Sequence, residues 1–289
     1  MKIKNFRLSR RSATMLAAAI GTLSLAIGAH AALNMRATDA VRTTAAAPLA
    51  MQGPARVALV IGNSRYPDAN APLTQPVNDA RALSAALQRD GFDVETVENG
   101  DRNEMRGAVA RLKAKIRPES VAMLFFAGYA VQAGRESYMI PVDAAIWKES
   151  DVRRDGTSVE SVLAAMKQGG ARAKLVVLDA SRRNPYERRF RTYSHGLAPI
   201  NTTDNALILS AAAPGQVVDD AAGANSVLVD ALLDNLKDPS AGATAVFGKT
   251  RQAVTQATKG KQVPSVSSSL IDDVSFRAEA DAHLAKAGS

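Results

Sequence analysis

Asp179 and Ser181 stand two residues apart at the end of an apolar run, Leu175-Val176-Val177-Leu178, and Arg182, Arg183, Asn184 and Pro185 follow them. A carboxylate and a hydroxyl in that setting suit proton transfer, nucleophilic attack or the capture of a cationic group. The alternative is local: Asp179 accepts hydrogen bonds that shape a turn. Two other segments bring polar groups to comparable places, Asn78-Asp79 and Gly128-Tyr129-Ala130. The residue types also exclude chemistry. The chain has no cysteine, so it has no disulfide framework, thiolate metal site or thiol nucleophile. Its three histidines, His30, His195 and His283, are too scattered for a metal centre, and no acidic loop is dense enough for a hard cation. We expect no metal and no cofactor.

These residues need elements to position them. The run ending at Leu178 reads as a buried parallel strand with a polar loop at its C-terminal end, the edge where ligands sit in open α/β sheets. Arg56 to Gly62 (RVALVIG) and Val121 to Ala127 (VAMLFFA) read the same way, and Phe92 to Val97 alternates as a strand with one wetter face. Between them, Ala80, Leu83, Ala86 and Leu87 recur at helical spacing, in a helix starting at Thr74 or Asn78 and ending at Gly91. Asp101 with Glu104 forms a capping box for a helix reaching Ile116, and Thr157 with Glu160 forms another, for a helix ending at Gly169-Gly170. Tyr138 to Val142, broken by Pro141, reads as an edge strand. Asn205 to Ala211 is a further strand, and Ser226 to Leu236 and Thr244 to Thr258 are helices. Alternating strands and helices imply βαβ units, so the ends carrying Asp79, Tyr129 and Ser181 are neighbours.

The chain has 289 residues, 46% hydrophobic and 22% charged, one domain's worth of core. Lys2, Lys4, Arg7, Arg10 and Arg11 precede an apolar segment from Ala13 to Ala29, and Ala29-His30-Ala31 suits a cleavage site. Residues 1–31 thus read as a signal peptide, directing the protein to the periplasm or out of the cell by a Sec or twin-arginine route. The rival is an uncleaved anchor, the one way this chain would engage a membrane. Five of the positive charges lie in that segment, so the net charge of +8 falls to +3 without it, and no nucleic-acid surface is expected. Residues 32–54, rich in Ala and Thr, read as a flexible linker, 55–275 as the folded domain and 276–289 as a tail.

Seven segments, in order, resemble the caspase-like peptidases (peptidase family C14, with a p20-type domain), and the bacterial metacaspase branch in particular. They are VALVIGNSRY from Val57, PVNDARAL from Pro76, LFFAGYAVQ from Leu124, YMIPVDA from Tyr138, LDASRRNP from Leu178, LILSAAAPGQ from Leu207 and GKQVP from Gly260. The resemblance implies an α/β fold: a three-layer α/β/α sandwich with a mostly parallel central sheet of about six strands. It also implies a histidine–cysteine dyad and hydrolysis of peptide bonds. Here Tyr129 stands where the histidine of G-H-G would be, Ala130 replaces the following glycine, and Ser181 stands where the cysteine of D-A-C would be.

Those replacements remove the chemistry. Cysteine suits the reaction because its pKa is about 8.5 and its sulfur is intrinsically nucleophilic. A serine hydroxyl needs an adjacent base. A phenol of pKa about 10 is ionised only about one part in a thousand at pH 7; making it a base would cost about 4 kcal/mol. His195 is a surface residue or, less simply, a substitute base. The expected protein is therefore a pseudopeptidase that binds basic peptide segments or regulates an active caspase-like relative. The rivals are a hydrolase dependent on Ser181 and a scaffold with an empty cleft. By the resemblance, Asp79 and Asp179 line an acidic pocket for Arg or Lys. The basic loop Arg182, Arg183, Arg188, Arg189 and Arg191 is either solvated or supplies an arginine to that pocket.

Overall fold

The computed structural model describes residues 55–70, 72–190, 196–202, 204–219 and 222–277. Residues 1–54, where a signal peptide and linker are expected, His195, Arg191 and the residues beyond Arg277 lie outside them.

The apolar runs become the strands of one sheet because each is buried on both faces. β1 (Arg56–Gly62), β3 (Val121–Ala127) and β7 (Ala173–Asp179) are buried throughout, as the absence of polar alternation requires. With β2 (Asp93–Glu98), β8 (Ala206–Ser210) and β9 (Ser265–Ser268) they form a six-stranded sheet in the order β2-β1-β3-β7-β8-β9. Every pairing is parallel except β8 with β9.

Helices cover both faces, giving the three-layer sandwich. On one face α1 (Pro76–Arg89), α5 (Val227–Leu236) and α6 (Ala243–Ala257) pack through Leu83, Leu87, Leu232 and Phe247 onto Val60, Phe125 and Val177. On the other, α2 (Arg102–Lys115) and α4 (Val159–Gln168) pack through Met105, Leu112, Val162 and Met166 onto Leu59, Leu124 and Val176. Strand alternation divides Phe125 from Phe126 between the two cores. The folded region continues past residue 275: Phe276 is buried against Phe92 and Phe247, and Arg277 pairs with Asp90.

Three local expectations need correction. The helix after β1 starts at Pro76, with Gln75 as N-cap, because proline is pre-organised for the first helical position. Tyr138 does not lie at an edge of the main sheet: β5 (Glu136–Met139) is the middle of a separate antiparallel sheet, between β4 (Ala130–Ala133) and β6 (Thr157–Ser158). α4 is capped by Ser158, whose hydroxyl accepts from Ser161 N, while Thr157 pairs with Met139 as part of β6. Between β5 and β6 lies a short helix, α3 (Glu149–Asp155), with no counterpart in the sequence reading. The capping box of Asp101 with Glu104 is present as expected.

Candidate functional site

The site forms where β1, β3 and β7 end together. The chain leaves β1 toward β2 on one side and β3 toward β7 on the other, so a topological switch point separates β1 from β3. Gly62 ends β1, and a Cβ there would lie 2.2 Å from the Pro76 carbonyl oxygen. Its absence lets the first turn of α1 pack against the strand end and delivers Asp79. At the end of β3, a Cβ on Gly128 would lie 2.5 Å from the Tyr66 hydroxyl. That hydroxyl accepts from Tyr129 N at 3.0 Å and donates to Ile140 O at 3.3 Å. The Tyr66 and Tyr129 rings meet edge to face, centroids 4.9 Å apart. Tyr66 is fully enclosed, and burial pushes its phenol far above the ordinary range, so it serves as a neutral hydrogen-bonding bridge.

All five central residues are withdrawn from solvent: Asp79 is 0% exposed, Ser181 1%, Asp179 3%, Arg182 5% and Tyr129 7%. Asp79 is the fourth residue of α1 rather than its N-cap. Its Oδ1 instead accepts from Ser226 N at 2.9 Å, joining α1 to the start of α5. Burial first, and the charge of Asp179 second, raise the Asp79 carboxyl from 3.8 to about 7; the Ser226 bond and the Arg182 charge oppose the rise. Ser181 is held through its main chain, its carbonyl accepting from Val218 N at 2.7 Å. Asn184 Oδ1 accepts from Tyr186 N at 2.9 Å, the Asx-turn geometry expected before proline.

The arginine-rich loop divides by destination. Arg182 turns inward. Its Nη1 donates to Gly128 O at 3.1 Å and to Asp179 O, and lies 3.8 Å from Asp179 Oδ1. Arg189 goes elsewhere, donating to Asp68 Oδ2 at 2.6 Å and to Ile146 O at 2.7 Å, and stacking over exposed Trp147. Arg183 and Arg188 are exposed. A cation does therefore reach the Tyr129 segment, although the sequence around Tyr129 contains no cationic cluster.

Among the described residues, Asp79 Oδ2, Asp179 Oδ2 and Ser181 Oγ are buried with no hydrogen-bond partner, and Asn184 Nδ2 is in the same state. Buried polar atoms are paired in the great majority of cases, so these four are exceptions grouped near neighbouring strand ends. A groove of about 760 Å3 between the C-terminal halves of α1 and α5 contains none of these residues. Among the described residues no group of acidic and histidine side chains is arranged to hold a metal ion.

The structure thus brings together Asp79, Tyr129, Asp179 and Ser181. Sequence reasoning did not single out Tyr66, Asn63 or Ser226, and it named Arg182 as one of five loop arginines, any of which could enter the pocket. Asn63 is buried, donating to Ile140 O at 3.1 Å and accepting from Gly100 N at 2.9 Å. Asn63 and Tyr66 lie inside the VALVIGNSRY segment, so a signal was present for those two.

This chain belongs to the caspase domain family: the model of that peptidase C14 domain matches residues 55–275. The human mucosa-associated lymphoid tissue lymphoma translocation protein 1 is 26% identical over 243 residues, which are 82% of this chain and 28% of that protein. This chain therefore spans less than a third of the human relative. A Geobacter sulfurreducens protein of known crystal structure superposes with a TM-score of 0.54 at 16% identity, over 76% of this chain and 95% of that one. At that identity the likeness concerns the fold.

Proposed function

We propose that this protein is an exported, non-catalytic caspase-domain protein that binds a basic side chain of a peptide or protein segment, or of an active caspase-like relative. One observation carries the reading: Ser181 Oγ is buried and no described group is hydrogen-bonded to it. A serine nucleophile requires a base within hydrogen-bond reach, and the family's histidine position holds Tyr129. The acceptors left open on Asp79 and Asp179 favour a cationic ligand through charge-assisted hydrogen bonds. Export is supported by the basic and apolar N-terminal segments, and the mass of the mature N-terminus tests it.

The assay is direct. The purified protein is incubated with Arg- and Lys-ended reporter peptides and titrated with uncleavable versions. Saturable binding without turnover is expected. Turnover abolished by Ser181→Ala would overturn the non-catalytic reading, and absence of binding would overturn the basic-ligand reading. Restoring the family dyad with Tyr129→His and Ser181→Cys is expected to produce measurable cleavage after the same residues. A folded double variant with no cleavage would count against a retained substrate cleft.

A further inference from the structure

We infer that Arg182 sets the specificity of this pocket, so that it accepts the primary ammonium of a lysine side chain and excludes the guanidinium of arginine. The inference rests on the basic-ligand reading above and adds which cation the site takes.

Three observations lead to it. First, Arg182 is already inside. Its guanidinium is buried and fixed on two main-chain carbonyls, Gly128 O at 3.1 Å and Asp179 O. Those carbonyls belong to the ends of β3 and β7, so the anchor is part of the sheet edge. Second, Arg182 does not saturate the carboxylates. It stands 3.8 Å from Asp179 Oδ1, beyond hydrogen-bond length, and leaves Asp179 Oδ2 and Asp79 Oδ2 unpartnered. Both open oxygens therefore remain available to the donors of a second cation. Third, the open acceptors are few. Asp79 Oδ2, Asp179 Oδ2 and Ser181 Oγ are three oxygens, all on residues more than nine-tenths buried.

An ammonium carries three N–H donors, and three acceptors can satisfy it. A guanidinium carries five donors in a rigid plane and prefers the two oxygens of one carboxylate. Here neither carboxylate offers both oxygens: Asp79 Oδ1 is taken by Ser226 N and Asp179 Oδ1 faces Arg182. An incoming arginine would bury unsatisfied donors beside a like-charged planar group. A lysine brings a slender stem and a compact charge. Ser181 thereby gains a use as an acceptor for the ligand in place of the nucleophile it cannot be.

The test is a set of calorimetric titrations of the full chain with uncleavable, N-acetylated peptides identical except for a terminal Lys or Arg. A third peptide lacks both and keeps a free N-terminal amine, separating a lysine side chain from an α-amino group as the source of the ammonium. The wild-type protein is expected to bind the Lys peptide at least about tenfold more tightly than the Arg peptide. Arg182→Met removes the resident guanidinium, and the ratio is expected to move at least about tenfold toward Arg. Equal wild-type affinities, an Arg preference, tighter binding of the free-amine peptide, or a folded Arg182→Met variant with an unchanged ratio would each overturn the inference while leaving the basic-ligand reading intact. Failure of every peptide to bind wild type and variant alike would remove that reading and the inference with it. Should Met at 182 prevent folding, Arg182→Lys replaces it, and the wild-type ratio remains decisive.

Discussion

The two edges of the sheet bury charge in opposite ways. At the N-terminal edge two buried cations, Arg56 and Lys174, donate to main-chain carbonyls. Arg56, which opens β1, donates to Phe276 O at 3.1 Å, Ser275 O at 3.0 Å and Arg277 O at 3.2 Å. Lys174, near the start of β7, donates to Asp204 O, and burial lowers its pKa. At the C-terminal edge the carboxyls of Asp79 and Asp179 are buried beside Arg182, each with one oxygen unpartnered. The surroundings are equally dry, so the difference lies in how fully each edge is satisfied. A buried polar group costs free energy until it is paired, so the first edge stabilises the fold and the second carries unpaired carboxylate oxygens that cost stability.

That contrast can be broken most forcefully at Arg56. Arg56→Met strands three carbonyl oxygens in the interior and is expected to cost about 3 kcal/mol in urea unfolding. A loss below about 1 kcal/mol would mean that the N-terminal edge is not held as described.

Asp79→Asn is expected to act in the opposite direction and by less. The native state holds the Asp79 proton up to about pH 7, whereas the unfolded chain releases it near 3.8. Stability therefore falls as pH rises between these values, because the native state binds the proton more tightly than the unfolded state. The whole shift corresponds to about 4 kcal/mol, and structural relaxation reduces what is measured. We expect Asp79→Asn to be more stable than wild type by about 2 kcal/mol at pH 8 and indistinguishable from it near pH 4. Loss of stability at pH 8 would contradict the picture of a destabilising buried carboxylate.

The smallest effect sharpens the comparison. Ser181→Ala removes a hydroxyl with no partner, so thermal unfolding is expected to shift by less than about 1 kcal/mol in either direction. A cost above about 2 kcal/mol would show that the hydroxyl is bonded in the native state.

Much of the scaffold was legible because its signals are local. The runs at Arg56, Val121 and Leu175 are apolar on both faces, which only a doubly covered strand explains, and Asp101 with Glu104 reads as a cap from spacing alone. The motifs of the family resemblance supplied Asp79, Tyr129, Asp179 and Ser181. Neighbouring residues of like chemistry were not separable: Ser158 and Thr157 both carry hydroxyls, and the backbone decides which one caps α4. Arg182 and Arg189 are equivalent in a basic loop, yet one faces two carboxylates and the other holds Asp68 beneath Trp147.

The sequence by itself determined the main alternation of strands and helices, the absence of a thiol, and the phenol at 129 and hydroxyl at 181, since these depend on residue identity and short-range period. Only the tertiary structure decided which buried polar atoms are paired over long range. Asp79 meets Ser226 across 147 positions, and Arg182 meets Gly128 across 54. Partners so far apart are chosen when the sheet assembles, because dry hydrogen bonding is settled by three-dimensional packing and not by local preference.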